Sequence, residues 1–266
     1  MKLKSTFVLS LIIVLLTTVA SLGGLFIHSL YRDESNFILT AWYANDLVTL
    51  IIAIPLLLGA VVFKMKGSER SHLIWLGMID FIIYNFAFYL FGAAFNWFFP
   101  IYVALFTLGI FTLIFGMVET DIERVKCRIS NRSYKSVSVY MFFWATILGI
   151  AWIGQWANFV LTDTIPQIIV QTGGTNNLVA ALDLSLVVPI VLLSGIWLWQ
   201  NRPWGYILAV MSNVKGAVYT VVLIVGSFIQ AQSGVEGALD LIFLWIFLFL
   251  GCLLSSMYLL KKYTNI

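Results

Sequence analysis

The sequence predicts an all-α integral membrane protein with eight transmembrane helices. They form two parallel four-helix repeats, with both chain ends on the cytoplasmic side. Three observations carry this reading: the composition, the length of the apolar runs, and the placement of Lys and Arg. Of 266 residues, 61% are hydrophobic and only 10% are charged. Soluble domains carry about 25% charged residues. A soluble chain of this size needs far more polar surface to cover its core, so most of this surface faces lipid.

A bilayer core about 30 Å thick needs roughly 20 apolar residues at 1.5 Å each. Eight runs meet that length: 6–29, 41–63, 72–94, 98–118, 138–161, 178–199, 204–229 and 238–260. They are continuously apolar rather than alternating, which excludes a β-barrel. The first run begins like a secretory signal peptide, with Lys2 and Lys4 ahead of Phe7 to Thr18 and then Val19-Ala20-Ser21. The apolar stretch continues through Leu25, Phe26 and Ile27, so it is read as a retained helix. Only two connections are long, near 119–137 and 162–177.

Orientation follows from the basic residues. Eight spans place Lys2, Lys4, Lys64, Lys66, Arg70, Arg124, Lys126, Arg128, Arg132, Lys135, Arg202, Lys261 and Lys262 on one side. The other side carries only Arg32. The first side is therefore read as cytoplasmic. A seven-span chain would put Lys261 and Lys262 on the wrong side.

An internal duplication is legible. NDLVTLIIAIPLLLG around Asp46 matches LDLSLVVPIVLLSG around Asp183. Each has Asp-Leu, then a proline (Pro55, Pro189), then Leu-Leu and a glycine (Gly59, Gly195). A basic turn follows (Arg70, Arg202), then Trp75 and Gly77 or Trp204 and Gly205. The next helix carries Tyr89 or Tyr219, and then Gly92 or Gly226. The expected organisation is a first repeat over 1–118, a basic linker over 119–137 and a second repeat over 138–266. An even number of spans per copy gives both copies the same orientation, as in parallel-repeat transporters. Val118, Ile122, Val125 and Ile129 recur at helical spacing, which predicts that span 4 runs on past the membrane. The basic face of that extension suits anionic headgroups.

Ionisable groups in hydrocarbon are costly and mark functional candidates. Asp46, Asp80, Asp183, Lys215 and Asp240 fall within the predicted spans. Asp240 lies close to its span end. Asp80 and Lys215 lie roughly 13 Å and roughly 16 Å from the basic edge of spans 3 and 7, near mid-bilayer. Lys215 needs a carboxylate partner there or else loses its proton, and both Asp80 and Asp183 are candidate partners. The candidate ligand or proton site is Lys215, Asp183, Asp80, Asp46, Asn213 and Asn85. Gln155 and Asn158 are further amides suited to bonds between helices. Pro55 and Pro189 predict kinks. Trp42, Trp97, Trp197, Trp199 and Trp204 read as an aromatic belt.

The stretches YNFAFYLFGAAFN (84–96), ALDLSLVVP (181–189), RPWGY (202–206) and VKGAVYT (214–220) resemble a widespread prokaryotic family of multi-pass membrane proteins. The likeness runs from about residue 43 onward. It implies a bacterial or archaeal plasma membrane and transfers no mechanism, because the family carries no established activity.

There is no HExxH, GxSxG or Walker loop, and no pair of histidines. His28 and His72 are isolated, and Cys127 and Cys252 lack CxxC spacing, so no disulfide is expected. An intramembrane enzyme is therefore the least supported reading, and no cofactor, metal or nucleic acid is expected. The expected partners are the bilayer and a small-molecule ligand, with homo- or hetero-oligomers open. The leading functional expectation is a carrier or binder of a small solute. A scaffold, sensor or complex subunit is the second. The third is a retinal photoreceptor, because Lys215 on span 7 and Asp80 on span 3 sit as the Schiff-base lysine and counter-ion do in microbial rhodopsins. Met211 four residues earlier, the eighth span and the duplication depart from that pattern.

Overall fold

The computed structural model describes residues 5–129 and 133–263. Among these residues there is no strand, and eight helices are long and apolar enough to cross a bilayer. The helices are α1 (Ser5–Phe26), α2 (Asn36–Met65), α3 (Glu69–Gly92), α4 (Phe99–Val118), a short α5 (Ile122–Ile129), α6 (Lys135–Thr162), a short α7 (Gln167–Thr172), α8 (Leu178–Trp199), α9 (Pro203–Gln232) and α10 (Ile242–Lys262). The eight long helices match the eight apolar runs. Lys2, Lys4 and Arg132 lie outside the described residues.

The ends differ from the apolar runs in instructive ways. α1 stops at Phe26, and Ile27 to Leu30 make a turn that carries Tyr31 back toward the bundle. α10 begins at Ile242, after Gly234 and Gly237 take left-handed backbone. Asp240 therefore lies in a turn outside the helix, not within a span. The two long connections each hold a short helix. α4 does not run on: Thr120 Oγ1 bonds back to the Gly116 carbonyl at 2.9 Å, and a separate α5 starts at Ile122. Val125 and Ile129 of α5 are buried, whereas Val118 is 80% exposed.

Two helices form the centre. α3 and α9 are the most buried long helices, and they pack on one another. At Gly77 an added Cβ would lie 2.7 Å from the Val214 Cβ, so this crossing admits only glycine. α2 and α4 pack on α3, while α8 and α10 pack on α9. α1 lies on α2 and α4, and α6 lies on α8. Large apolar side chains such as Leu15, Ile51, Phe111, Trp156 and Leu254 stand on the outside, as lipid-facing positions do.

Two hairpins close alike. After α2, the Ser68 amide donates to the Phe63 carbonyl at 3.0 Å and the Gly67 amide to the Lys64 carbonyl at 2.9 Å. After α8, the Arg202 amide donates to the Trp197 carbonyl at 2.8 Å and the Asn201 amide to the Leu198 carbonyl at 3.0 Å. Gly67 and Asn201 supply the left-handed residue that this helix ending needs. Upstream, α2 and α8 each contain a five-residue π-helical turn, Thr49–Ala53 and Asp183–Val187. Each sits directly before the proline turn of Pro55 or Pro189. Proline lacks an N–H and crowds the preceding turn, and the wider π-turn accommodates it.

Candidate functional site

The site is built where α3 crosses α9. Asp80 is 11 residues into α3 and Lys215 is 12 into α9, so both lie about 16–18 Å from the basic ends of their helices. Lys215 Nζ stands 3.4 Å from Asp80 Oδ2. Both residues are buried, at 7% and 8% exposure. Tyr84 follows Asp80 by four residues and shares its helix face. The Lys215 ammonium lies 4.2 Å from the centre of the Tyr84 ring, a cation–π contact. The Tyr84 hydroxyl donates to Asp183 Oδ1 across to α8. The indole N–H of Trp152 on α6 donates to Asp183 Oδ2 at 2.8 Å. Tyr219 packs edge-on against Tyr84 with ring centres 4.9 Å apart.

This arrangement answers the question of the lysine's partner. Lys215 pairs directly with Asp80, and Tyr84 lies between that pair and Asp183. Four helices therefore contribute to one charged cluster: α3, α6, α8 and α9. Asp183 is the first residue of the π-turn in α8, so the widened backbone sets its direction.

Asp46 is not part of that cluster. Its Oδ2 accepts from the Tyr31 hydroxyl at 2.5 Å and its Oδ1 from Tyr89 at 3.0 Å. Trp42 packs on Tyr89 with ring centres 4.7 Å apart, and Tyr102 adds a fourth ring. Gly24 on α1 closes the other side, where an added Cβ would lie 1.8 Å from Asp46 Oδ2. Tyr31, in the α1–α2 connection, is held well above its ordinary pKa by burial and by the neighbouring Tyr89 and Asp46, so its hydroxyl remains a donor.

The amides divide. Asn213 donates to the Ala209 carbonyl of its own helix at 2.7 Å, but its Oδ1 has no partner among the described residues. Asn85 has neither amide atom partnered, and Ser212 Oγ is likewise alone. All three residues are at most 3% exposed. Gln155 meets Asn177 at 3.4 Å, while Asn158 is exposed near the end of α6. Trp42 leaves the aromatic belt: it is 4% exposed, and its N–H donates to Asp33 at 3.1 Å. Trp97 and Trp199 remain exposed, beside Arg32 and Lys135.

Cys127 and Cys252 are both free. Among the described residues no group of three or more His, Cys, Asp or Glu side chains is placed to hold a metal ion. Tyr84, Trp152 and Tyr31 went unassigned in the sequence. For Tyr84 a signal existed, the spacing of four from Asp80. For Trp152 and Tyr31 there was none, because their partners depend on how helices rotate against each other. No family model, curated protein or solved structure matches this chain.

Proposed function

We propose that the protein is a membrane-embedded carrier of a small solute, working through Lys215, Asp80 and Asp183 in a prokaryotic plasma membrane with the basic end cytoplasmic. The observation that carries the reading is the buried Lys215–Asp80 pair at mid-helix, with a second carboxylate one tyrosine away. Charges at this depth are costly and are retained where they bind or relay. The Asn85 amide, Ser212 Oγ and Asn213 Oδ1, all without a partner among the described residues, flank the pair in sequence and offer donors and acceptors to a ligand.

The chemistry is an exchange of partners. An anionic group on the solute competes with Asp80 for the Lys215 ammonium. Asp80 then takes a proton, or the freed carboxylate holds a cation. Asp183, fixed by Tyr84 and Trp152, is the second acceptor for the same charge. The paired π-turns before Pro55 and Pro189, and the like closure of the two hairpins, support two copies of one four-helix unit. Such π-turns concentrate at functional positions.

The test is flux in proteoliposomes containing a trapped pH dye, challenged with a panel of small carboxylates, phosphates and amino acids. Solute-evoked proton movement is expected in the wild type and lost in Asp183→Asn and Lys215→Ala. Variants that fold normally and keep wild-type flux sink the reading.

A further inference from the structure

The first four long helices hold a buried carboxylate that the charged cluster does not use. Asp46 lies 10 residues into α2, about 15 Å from its start. It is 1% exposed, and among the described residues no cation pairs with it. A carboxylate in a low-dielectric interior ordinarily has an opposite charge beside it. Here phenols stand in that place.

One of those phenols comes from outside the helices. Tyr31 lies in the connection between the end of α1 at Phe26 and the start of α2 at Asn36. It is partly exposed, whereas Tyr89 is 2% exposed. The Tyr31 ring centre lies 6.1 Å from those of both Trp42 and Tyr89, which are 4.7 Å from each other. Its hydroxyl ends on Asp46 Oδ2 at 2.5 Å. The Gly24 backbone closes the far side, where an added Cβ would collide with that hydroxyl. Tyr31 thus fills a slot walled by Trp42, Tyr89 and Gly24, with a carboxylate as its floor.

Two further hydroxyls border the slot. Ser21 is one turn before Gly24 on the same face of α1 and lies beside the Asp46 carboxylate, short of a hydrogen bond. Tyr102 on α4 packs on Tyr89 at 5.2 Å, within electrostatic reach of Tyr31 and Asp46. Both residues are at most 1% exposed, and neither hydroxyl has a partner among the described residues. The connection is pinned on either side of Tyr31. Leu30 is 1% exposed, and Asp33 accepts from the Ala94 amide and the Trp42 indole, each at 3.1 Å.

We propose that this slot binds a small primary ammonium with an apolar body about the size of a benzene ring, admitted when the Tyr31 side chain swings out between its pinned flanks. In the closed arrangement the Tyr31 ring stands in for the ligand body and its hydroxyl for the ammonium. The exchange is a swap of donors: Asp46 Oδ2 gives up an O–H and receives an N–H, and no proton changes hands. A primary ammonium has three N–H donors, and Asp46, Ser21 and Tyr102 supply three acceptors. Trp42 and Tyr89 flank the cation with aromatic rings. The ammonium brings Asp46 the opposite charge that a phenol lacks. A neutral body of the same shape compensates the carboxylate no better than Tyr31 does.

The full-length protein in nanodiscs is titrated with 4-fluorobenzylammonium, and fluorine NMR separates the bound signal from that of empty nanodiscs. Saturable binding is expected. Asp46→Asn keeps the shape and should weaken binding at least about tenfold, the weight of a hydrogen bond to a charged group. Tyr31→Phe removes the competing hydroxyl and should tighten binding about fivefold. The neutral 4-fluorobenzyl alcohol, and the trimethylated cation without an N–H, should each bind at least about tenfold more weakly. Absence of saturable binding in both wild type and Tyr31→Phe overturns the proposal. So does undiminished binding in Asp46→Asn, or an alcohol that binds as tightly as the ammonium. Because Tyr31→Phe is expected to gain affinity, a misfolded Asp46→Asn does not shelter the idea. The slot shares no residue with the Lys215 cluster, so ammonium binding and flux fail separately.

Discussion

Asp46 and Asp183 stand at the same point of matching sequence, each just ahead of or within a π-turn and each before a proline. Their surroundings diverge. Asp46 is met by two phenols and sealed by Gly24, and no cation is among its bonded partners. Asp183 is met by one phenol and one indole, and that phenol also carries the Lys215 ammonium on its ring. Hydroxyl and N–H donors satisfy a buried carboxylate in either place. Of the two, only Asp183 is linked through a single side chain to an ion pair. The difference teaches that matching sequence and depth do not fix which partners a buried carboxylate meets.

The strongest way to break this contrast is to remove one member of the ion pair. Asp80→Asn leaves the Lys215 ammonium buried without its partner and should cost about 3–5 kcal/mol. Asp80→Asn with Lys215→Met should recover most of that loss, because no charge is then stranded. Thermal unfolding in nanodiscs reads both. A single variant as stable as wild type would mean the pair is solvated, and the contrast with Asp46 would collapse. Next in size is Gly24→Ala, whose methyl group meets Asp46 Oδ2. It should cost about 1–3 kcal/mol by overpacking and leave flux per folded molecule unchanged. The smallest effect sharpens the comparison most. Tyr31→Phe and Tyr84→Phe each remove one phenol that donates to a buried carboxylate and should each cost about 0.6–1.7 kcal/mol. Flux should fall only in Tyr84→Phe; an equal fall in both would place Asp46 in the same working unit as Asp183.

Much of the architecture was legible because hydrocarbon imposes a length, and eight runs of that length stand in the sequence. Lys215 and Asp80 could be named as partners because both lie mid-way along the third and seventh spans. Asp183 competed with Asp80 because sequence spacing carries depth and not rotation about the helix axis. Rotation is also why Asp46 was grouped with Lys215, when it faces α1 and the α1–α2 connection instead. The prolines announced a disturbance, but whether it would be a kink or a widened turn depends on the packing around α2 and α8. The network of Lys64, Trp75, His72 and Glu119 gave no signal, since it joins the α2–α3 hairpin to a residue just past α4, a meeting that only packing decides.

The π-turns have a consequence for how this chain tolerates change in length. Each holds one residue more than an α-helical turn would, a surplus that a single deletion could absorb without breaking the helix. With one residue deleted, Thr49–Ala53 would relax to an α-helical turn of nearly the same rotation and rise, whereas a deletion elsewhere in α2 would swing every preceding residue by about 100° around the axis. After a deletion within the π-turn Asp46 would keep its phenols, and Pro55 and all that follows would stay in place. The widened turn of α2 is thus a point where one codon can be lost while the carboxylate inside the membrane keeps its direction and the span count is untouched.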